Sequence, residues 1–283
     1  VSEPKWSPAG PYAEEAALML ALAQDAGAML LAEVARPGGP RGGGDKATVD
    51  DEIDAMIHAA LRARWPLDTV RSEEIGEELG ESGRAFVVDP HDGTRDFLNG
   101  WRTSSVSIAL VEGGRLRAGV VLSPFVTELT GPEGLEAFWA EGDALRRNGV
   151  VVEAAAATGE LQEGELVLVS TRVKADSWEI NQEIVAPATL RHCASVATRF
   201  ALVALGEVRA SLTIASGLHD WDFAGAQALL QASGGEILDQ GGAPIVWQET
   251  EARLGGVRGY FASRDGALGR HLASRYCDEL KLQ

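Results

Sequence analysis

Apolar residues recur at helical spacing between positions 12 and 35. Met19, Ala23, Ala26 and Leu30 fall on one stripe, which predicts a helix with a single buried face. A second helix is expected after it, over 51–65, with Ile53, Met56, Ile57, Ala60 and Leu61 inward and Pro66 as its stop. Between the two, the eight residues from Pro37 to Gly44 contain five glycines and two prolines, a composition that predicts a mobile loop or hinge rather than a regular element. Segment 85–89 is short, apolar and β-rich, and reads as a buried strand ending on a carboxylate. Residues 104–111 alternate, with Val106, Ile108 and Leu110 against Ser105, Ser107 and Ala109, the mark of a half-buried strand. Gly113-Gly114 would turn the chain into a partner strand at 115–122; 136–140 is a further strand, and Asn148-Gly149 a further turn. Past residue 151 the pattern changes: strands expected at 165–170, 189–193, 208–214, 235–238 and 258–262 alternate with helices near 176–184, 194–205, 222–233 and 265–279. The first half, 1–150, thus reads as a helix pair plus antiparallel sheet, and the second, 151–283, as alternating α/β.

A chain of 283 residues, 45% hydrophobic, buries enough core for one large domain or two subdomains. The net charge of −17 disfavours partners with a polyphosphate backbone or an anionic lipid surface. A small anionic substrate stays compatible with it, because a bound metal dominates the local field. Cys193 and Cys277 form no disulfide framework, which points to a reducing, cytoplasmic setting. The five histidines show no zinc spacing. No apolar run is expected to be long enough for a membrane span, and the N-terminus lacks the order of a signal peptide.

The densest chemical signal is Asp89-Pro-His-Asp-Gly-Thr-Arg-Asp-Phe97, directly after the predicted buried strand. It sets hard oxygen ligands suited to Mg²⁺ beside backbone N–H groups suited to a phosphate, although an acidic turn with Thr94 as a helix cap has the same spelling. A covalent phosphatase motif of the form D-x-D-G-T is excluded, because the position of its nucleophile is Pro90. Thr48 and Asp51 also have the spacing of a capping box, Glu73-Glu74 lies in an acidic run reaching Glu81 that reads as a solvated loop, and Asp222 could be an acid at a helix start. Ala224, Gly225 and Ala228 imply close backbone packing next to Asp222.

Taken in order, four motifs resemble the inositol monophosphatase family: Thr48-Val-Asp-Asp51, Ser72-Glu-Glu74, Asp89-Pro-His-Asp-Gly-Thr94, and the stretch from Trp221-Asp222 to Gly235. The resemblance spans roughly 12–280 and implies a layered αβαβα arrangement with two sheets, an α/β fold, and a homodimer. It implies that Glu73, Asp89, Asp92, Asp222 and the His91 main-chain carbonyl ligate two or three Mg²⁺, with the His91 imidazole facing solvent. The first half would then carry the metal site, and the second would add Asp222 and the substrate pocket. It further implies hydrolysis of a small phosphorylated metabolite by metal-activated water, inhibited by lithium. Glu73 and Thr94 would orient and deprotonate the water, with Asp51 behind Thr94, while Gly93 and Thr94 would cradle the phosphate. Arg191-His-Cys-Ala-Ser195 resembles the family's R-x-x-G-S substrate segment, with Ala194 in place of Gly, which implies Ser195 as a substrate contact; the W-D motif implies Asp222 as another. The 38–44 loop would be an active-site flap.

The substrate is less determined. Inositol-cleaving members carry D-G-T-x-N-F and a Glu seven residues before the Asp of W-D; here those positions hold Asp96 and Ala215. The ending Arg95-Asp96-Phe97 is nearer the 3′(2′),5′-bisphosphate nucleotidase branch, for which Arg172, Lys174 and Arg199 are candidate cations. Histidinol-phosphate and fructose-bisphosphate hydrolysis also occur on this scaffold, and a catalytically degenerate metal- or phosphate-binding relative is the non-enzymatic alternative.

Overall fold

A computed structural model of the chain describes residues 6–153, 158–173, 175–214, 218–247 and 257–280. Ala215 and Lys174, both singled out above for substrate choice, lie outside the described residues.

The chain opens with α1 (Ala13–Val34), then a two-stranded antiparallel ribbon of β1 (Gly42–Gly43) and β2 (Lys46–Ala47), then α2 (Thr48–Arg64). A large sheet follows, built from β3 (Thr69–Ser72), β4 (Gly76–Glu78), β5 (Arg84–Asp92), β6 (Ser105–Glu112), β7 (Arg115–Ser123), β8 (Leu135–Ala140), β9 (Arg146–Arg147) and β10 (Val150–Val151), with the short helix α3 (Thr94–Leu98) between β5 and β6. Its strand order is β10-β9-β8-β7-β6-β5-β3-β4, antiparallel except for β3 against β5. The rest supplies β11 (Leu166–Val169), α4 (Ala175–Val185), β12 (Thr189–His192), α5 (Val196–Leu205), β13 (Ala210–Thr213), α6 (Ala224–Ala232), β14 (Glu236–Leu238), β15 (Tyr260–Ser263) and α7 (Gly266–Leu280). These strands form a second sheet of order β12-β11-β13-β15-β14.

Helices α1 and α2 cover one face of the large sheet; α5 and α6 lie between the sheets, and α4 and α7 cover the far face of the small one. This is the expected five-layer αβαβα arrangement. The predicted stripe of α1 packs inward, with Met19, Ala23, Ala26 and Leu30 fully buried beside Ile53, Ile57 and Leu61 of α2. One expectation is corrected: α1, at 22 residues, is long and apolar enough to cross a membrane, but half of its most apolar window is buried in the protein core.

Two segments gain structure that the pattern did not show. Residues 69–72, given no element by the pattern, form β3, because Val70 and Ser72 alternate inward and β3 pairs in parallel with β5, and part of the acidic run from Glu73 to Glu81 that read as a loop forms β4. The glycine-rich stretch runs into the β1–β2 ribbon. Arg41 anchors its base by donating to Glu33 at 2.7 Å and to Glu52 at 2.9 Å.

The sheets are positioned by close approaches that only glycine allows. A Cβ on Gly119 of β7 would lie 2.4 Å from the Gly225 carbonyl oxygen, and one on Gly225 would lie 2.6 Å from Ser107 Oγ. Helix α6 therefore rests directly on the backbone of β6 and β7, the close packing expected after Asp222.

Candidate active site

In a regular strand, residues three apart point to opposite faces. Asp89 and Asp92 nevertheless converge. Pro90 lies between them, and the pairing of β5 with β6 shifts register there, from Asp89 opposite Ser107 to Asp92 opposite Ser105. Gly93 then takes a left-handed conformation, φ +99°, which turns the chain into α3. Asp222 arrives from the other half, just before α6, its Oδ2 accepting the His219 N–H at 2.6 Å. One carboxylate oxygen from each of Asp89, Asp92 and Asp222 lies within 4.8 Å of the others. Glu73, in the turn between β3 and β4, is at the mouth of the same cleft of about 260 Å³, which Gly93 and Thr94 also line.

The surroundings bear on charge differently at each acid. Asp89 is fully buried; its Oδ1 accepts the His91 N–H at 2.9 Å, and its Oδ2 has no partner. Burial, then the charges of Glu73, Asp92 and Asp222, hold its carboxyl well above the usual carboxylate range. Asp222 is raised likewise by burial and then by Asp92. Glu73 is pushed up to about 7, first by desolvation against the cleft wall and then by Asp92 and Glu74. Asp92 is raised by burial but has compensation: its Oδ2 accepts from Ser195 Oγ and from the Ala197 N–H, both at 2.7 Å, at the N-terminus of α5.

Several expected roles move. Ser195 is fully buried, its hydroxyl donating to Asp92, accepting from the Thr198 N–H at 2.8 Å and bonded to Ser105 Oγ. It caps α5 and holds Asp92, which leaves no face for a substrate. Asp51 is about half exposed and pairs with Lys46 at 2.9 Å, so it does not stand behind Thr94. Its neighbour Asp50 is the buried acid, with Oδ2 accepting the Ala47 N–H at 2.9 Å and Oδ1 2.6 Å from His91 Nδ1. The helix begins at Thr48, which puts Asp50 on the inward stripe with Ile53, Asp54 and Ile57. That stripe is the signal that distinguishes Asp50 from Asp51. The His91 imidazole is buried rather than solvent-facing, because β5 runs on to Asp92 and carries it under α2. The His91 carbonyl accepts from Thr94 Oγ1 at 2.8 Å.

Sequence reasoning missed two supports. Asp54 accepts the N–H groups of Glu74 and Ile75 at 3.0 and 2.9 Å and so fixes the Glu73 turn. Arg71 on β3 pairs with Glu77 on β4 and with buried Asp220, tying the turn that carries Glu73 to the loop that carries Asp222. Arg199, named above as a candidate cation for a second phosphate, is fully buried, donating to the carbonyls of Cys193 and Ala194 at 2.5 and 3.0 Å and to Thr213 Oγ1 at 2.8 Å. Arg172 is exposed on the cleft wall.

The donor set suits a hard divalent cation. Three carboxylates with raised pKa values converge on one point, and a buried Asp89 oxygen lacks any partner; a cation would satisfy both.

Comparison with known proteins agrees with this chemistry. Residues 13–277 match the model of the inositol monophosphatase family. The Nus factor SuhB of Salmonella typhimurium is 30% identical over 208 residues, covering 70% of this chain and 73% of its own. The fructose-1,6-bisphosphatase/inositol-1-monophosphatase of Thermotoga maritima is 28% identical, covering 69% and 71%. Among solved structures, an IMPase of Thermotoga maritima superposes with a TM-score of 0.73 at 22% identity, covering 93% of this chain and 96% of its own.

Proposed function

The chain belongs to the inositol monophosphatase family and is a phosphoric monoester hydrolase, and from that premise we propose that it hydrolyses a small phosphorylated metabolite with Mg²⁺ as cofactor. The observation that carries the proposal is the convergence of Asp89, Asp92 and Asp222 beside Glu73 in one cleft.

Asp89, Asp92, Asp222, Glu73 and the His91 carbonyl would hold two or three cations. Once bound, the cations offset the carboxylate charge, polarise the phosphoryl group and make water a better nucleophile. The N–H groups of Gly93 and Thr94 would receive the phosphate oxygens. Glu73 and Thr94 would orient the attacking water and take its proton. Ser195 and the N-terminus of α5 keep Asp92 in place and favour its ionised form.

Arg172 on the cleft wall supports a second reading, a substrate with another anionic group such as a 3′(2′),5′-bisphosphate nucleotide. Lithium inhibition, a homodimer and a cytoplasmic setting go with the family reading as further proposals.

The test is a phosphate-release screen with Mg²⁺, with and without Li⁺. It compares myo-inositol 1-phosphate, 3′-phosphoadenosine 5′-phosphate, histidinol phosphate and fructose 1,6-bisphosphate. Asp92→Asn should abolish turnover and leave the fold intact, since the amide oxygen can accept both bonds that Oδ2 accepts now. Wild-type turnover by that variant would sink the site assignment.

A further inference from the structure

Where the resembled motif has Ile or Leu, this chain has His91, and the ring is in contact with three polar side chains. Nδ1 lies 2.6 Å from Asp50 Oδ1, Nε2 lies 2.9 Å from Ser104 Oγ, and Thr94 Oγ1 lies 3.4 Å from Nδ1. The ring edge also packs on Phe97, with centroids 4.5 Å apart. We infer that Asp50 and His91 act as a positioning pair that sets the direction of the Thr94 hydroxyl.

A carboxylate only accepts, so the short Asp50 contact places a hydrogen on Nδ1. Nε2 is then free to accept from Ser104 Oγ. Because Nδ1 carries its hydrogen, the ring cannot take the proton of Thr94. That proton goes instead to the His91 carbonyl oxygen, 2.8 Å away. A hydroxyl has one proton, so with it directed inward Thr94 can present only lone pairs to the cleft. It is thereby fixed as an acceptor for the hydrogen of an attacking water. The Asp50 carboxylate is itself held by the Ala47 N–H at the start of α2, which fixes the pair from the helix side.

This inference rests on the reading of Thr94 as the residue that handles the water. Two measurements test it. In the wild-type protein, ¹⁵N spectroscopy should show a proton on Nδ1 of His91; a bare Nδ1 overturns the inference whatever the variants do. Asp50→Asn puts an amide N–H against Nδ1 and favours the other tautomer, as wrong-tautomer variants of catalytic triads do. Its kcat should fall about 10- to 100-fold, the scale of lost positioning partners, with KM and the Mg²⁺ half-saturation unchanged. An unchanged kcat, or a fall in kcat accompanied by an equal rise in KM, counts against the pair. Wild-type protein inert toward every phosphomonoester would instead refute the site reading, so the two failures are distinguishable.

Discussion

Asp89 and Asp222 have folded pKa values raised well above the carboxylate range, and Glu73 is raised to about 7. For such groups the protonated form is the one that suits the metal-free fold. Their contribution is fully present below the unfolded carboxylate range and is lost as pH rises through the shifted values. With EDTA present, Tm should therefore decline from about pH 4.5 to 7 and beyond, measured by differential scanning fluorimetry. A Tm that is flat or rises across that window contradicts the charge crowding described for the cleft. The same residues reconcile the chain's net charge of −17 with a phosphorylated substrate: at the site, the acids would recruit cations, and those cations would offset the charge of the ester.

At the level of elements, the site depends on how few ångströms separate them. Helix α6 lies on β6 and β7 with no room for a Cβ at Gly225, 2.6 Å from Ser107 Oγ and 2.8 Å from the Val120 carbonyl oxygen. Gly225→Ala should cost about 1–3 kcal/mol, read as a lower urea midpoint. It should also lower turnover, because the shifted helix carries Asp222 away from Asp89 and Asp92. Retained stability and activity would mean that α6 can move without disturbing the acids. The pairing of Arg71 with Asp220 makes a second bridge, from the start of the Glu73 turn to the Asp222 loop. Arg71→Met leaves Asp220 buried without its cation and should raise the Mg²⁺ half-saturation about tenfold, with Tm monitored as a control. An unaltered half-saturation would confine Arg71 to a structural role.

For the whole molecule, the three converging acids come from both halves: Asp89 and Asp92 end a strand of the large sheet, and Asp222 follows a strand of the small one. A cation bound there joins the halves and binds the folded state alone. At 100 times its Kd it should stabilise by about 2.7 kcal/mol, visible as a higher Tm. The rise should be larger at pH 8 than at pH 5, because the ligands must lose their protons to bind. A pH-independent shift, or none, would place the cation elsewhere.

The stripes gave a helix pair with antiparallel sheet followed by alternating α/β, and the resemblance carried by the ordered carboxylate motifs implied, without coordinates, the layered fold and the acids Asp89, Asp92 and Asp222 that the structure brings together. The features that carry the motifs are local in sequence: a strand ending on an acid, and glycine and alanine beside a helix start. What only the tertiary structure decided is where side chains point. One residue along a helix rotates a side chain by about 100°, so the start of α2 at Thr48 turns Asp50 inward in place of the expected Asp51. His91 is inside because β5 extends to Asp92, and Ser195 serves Asp92 because α5 starts beside it. Residues 69–72 form a strand because β5 offers a parallel partner, a contact between distant segments that no local pattern encodes.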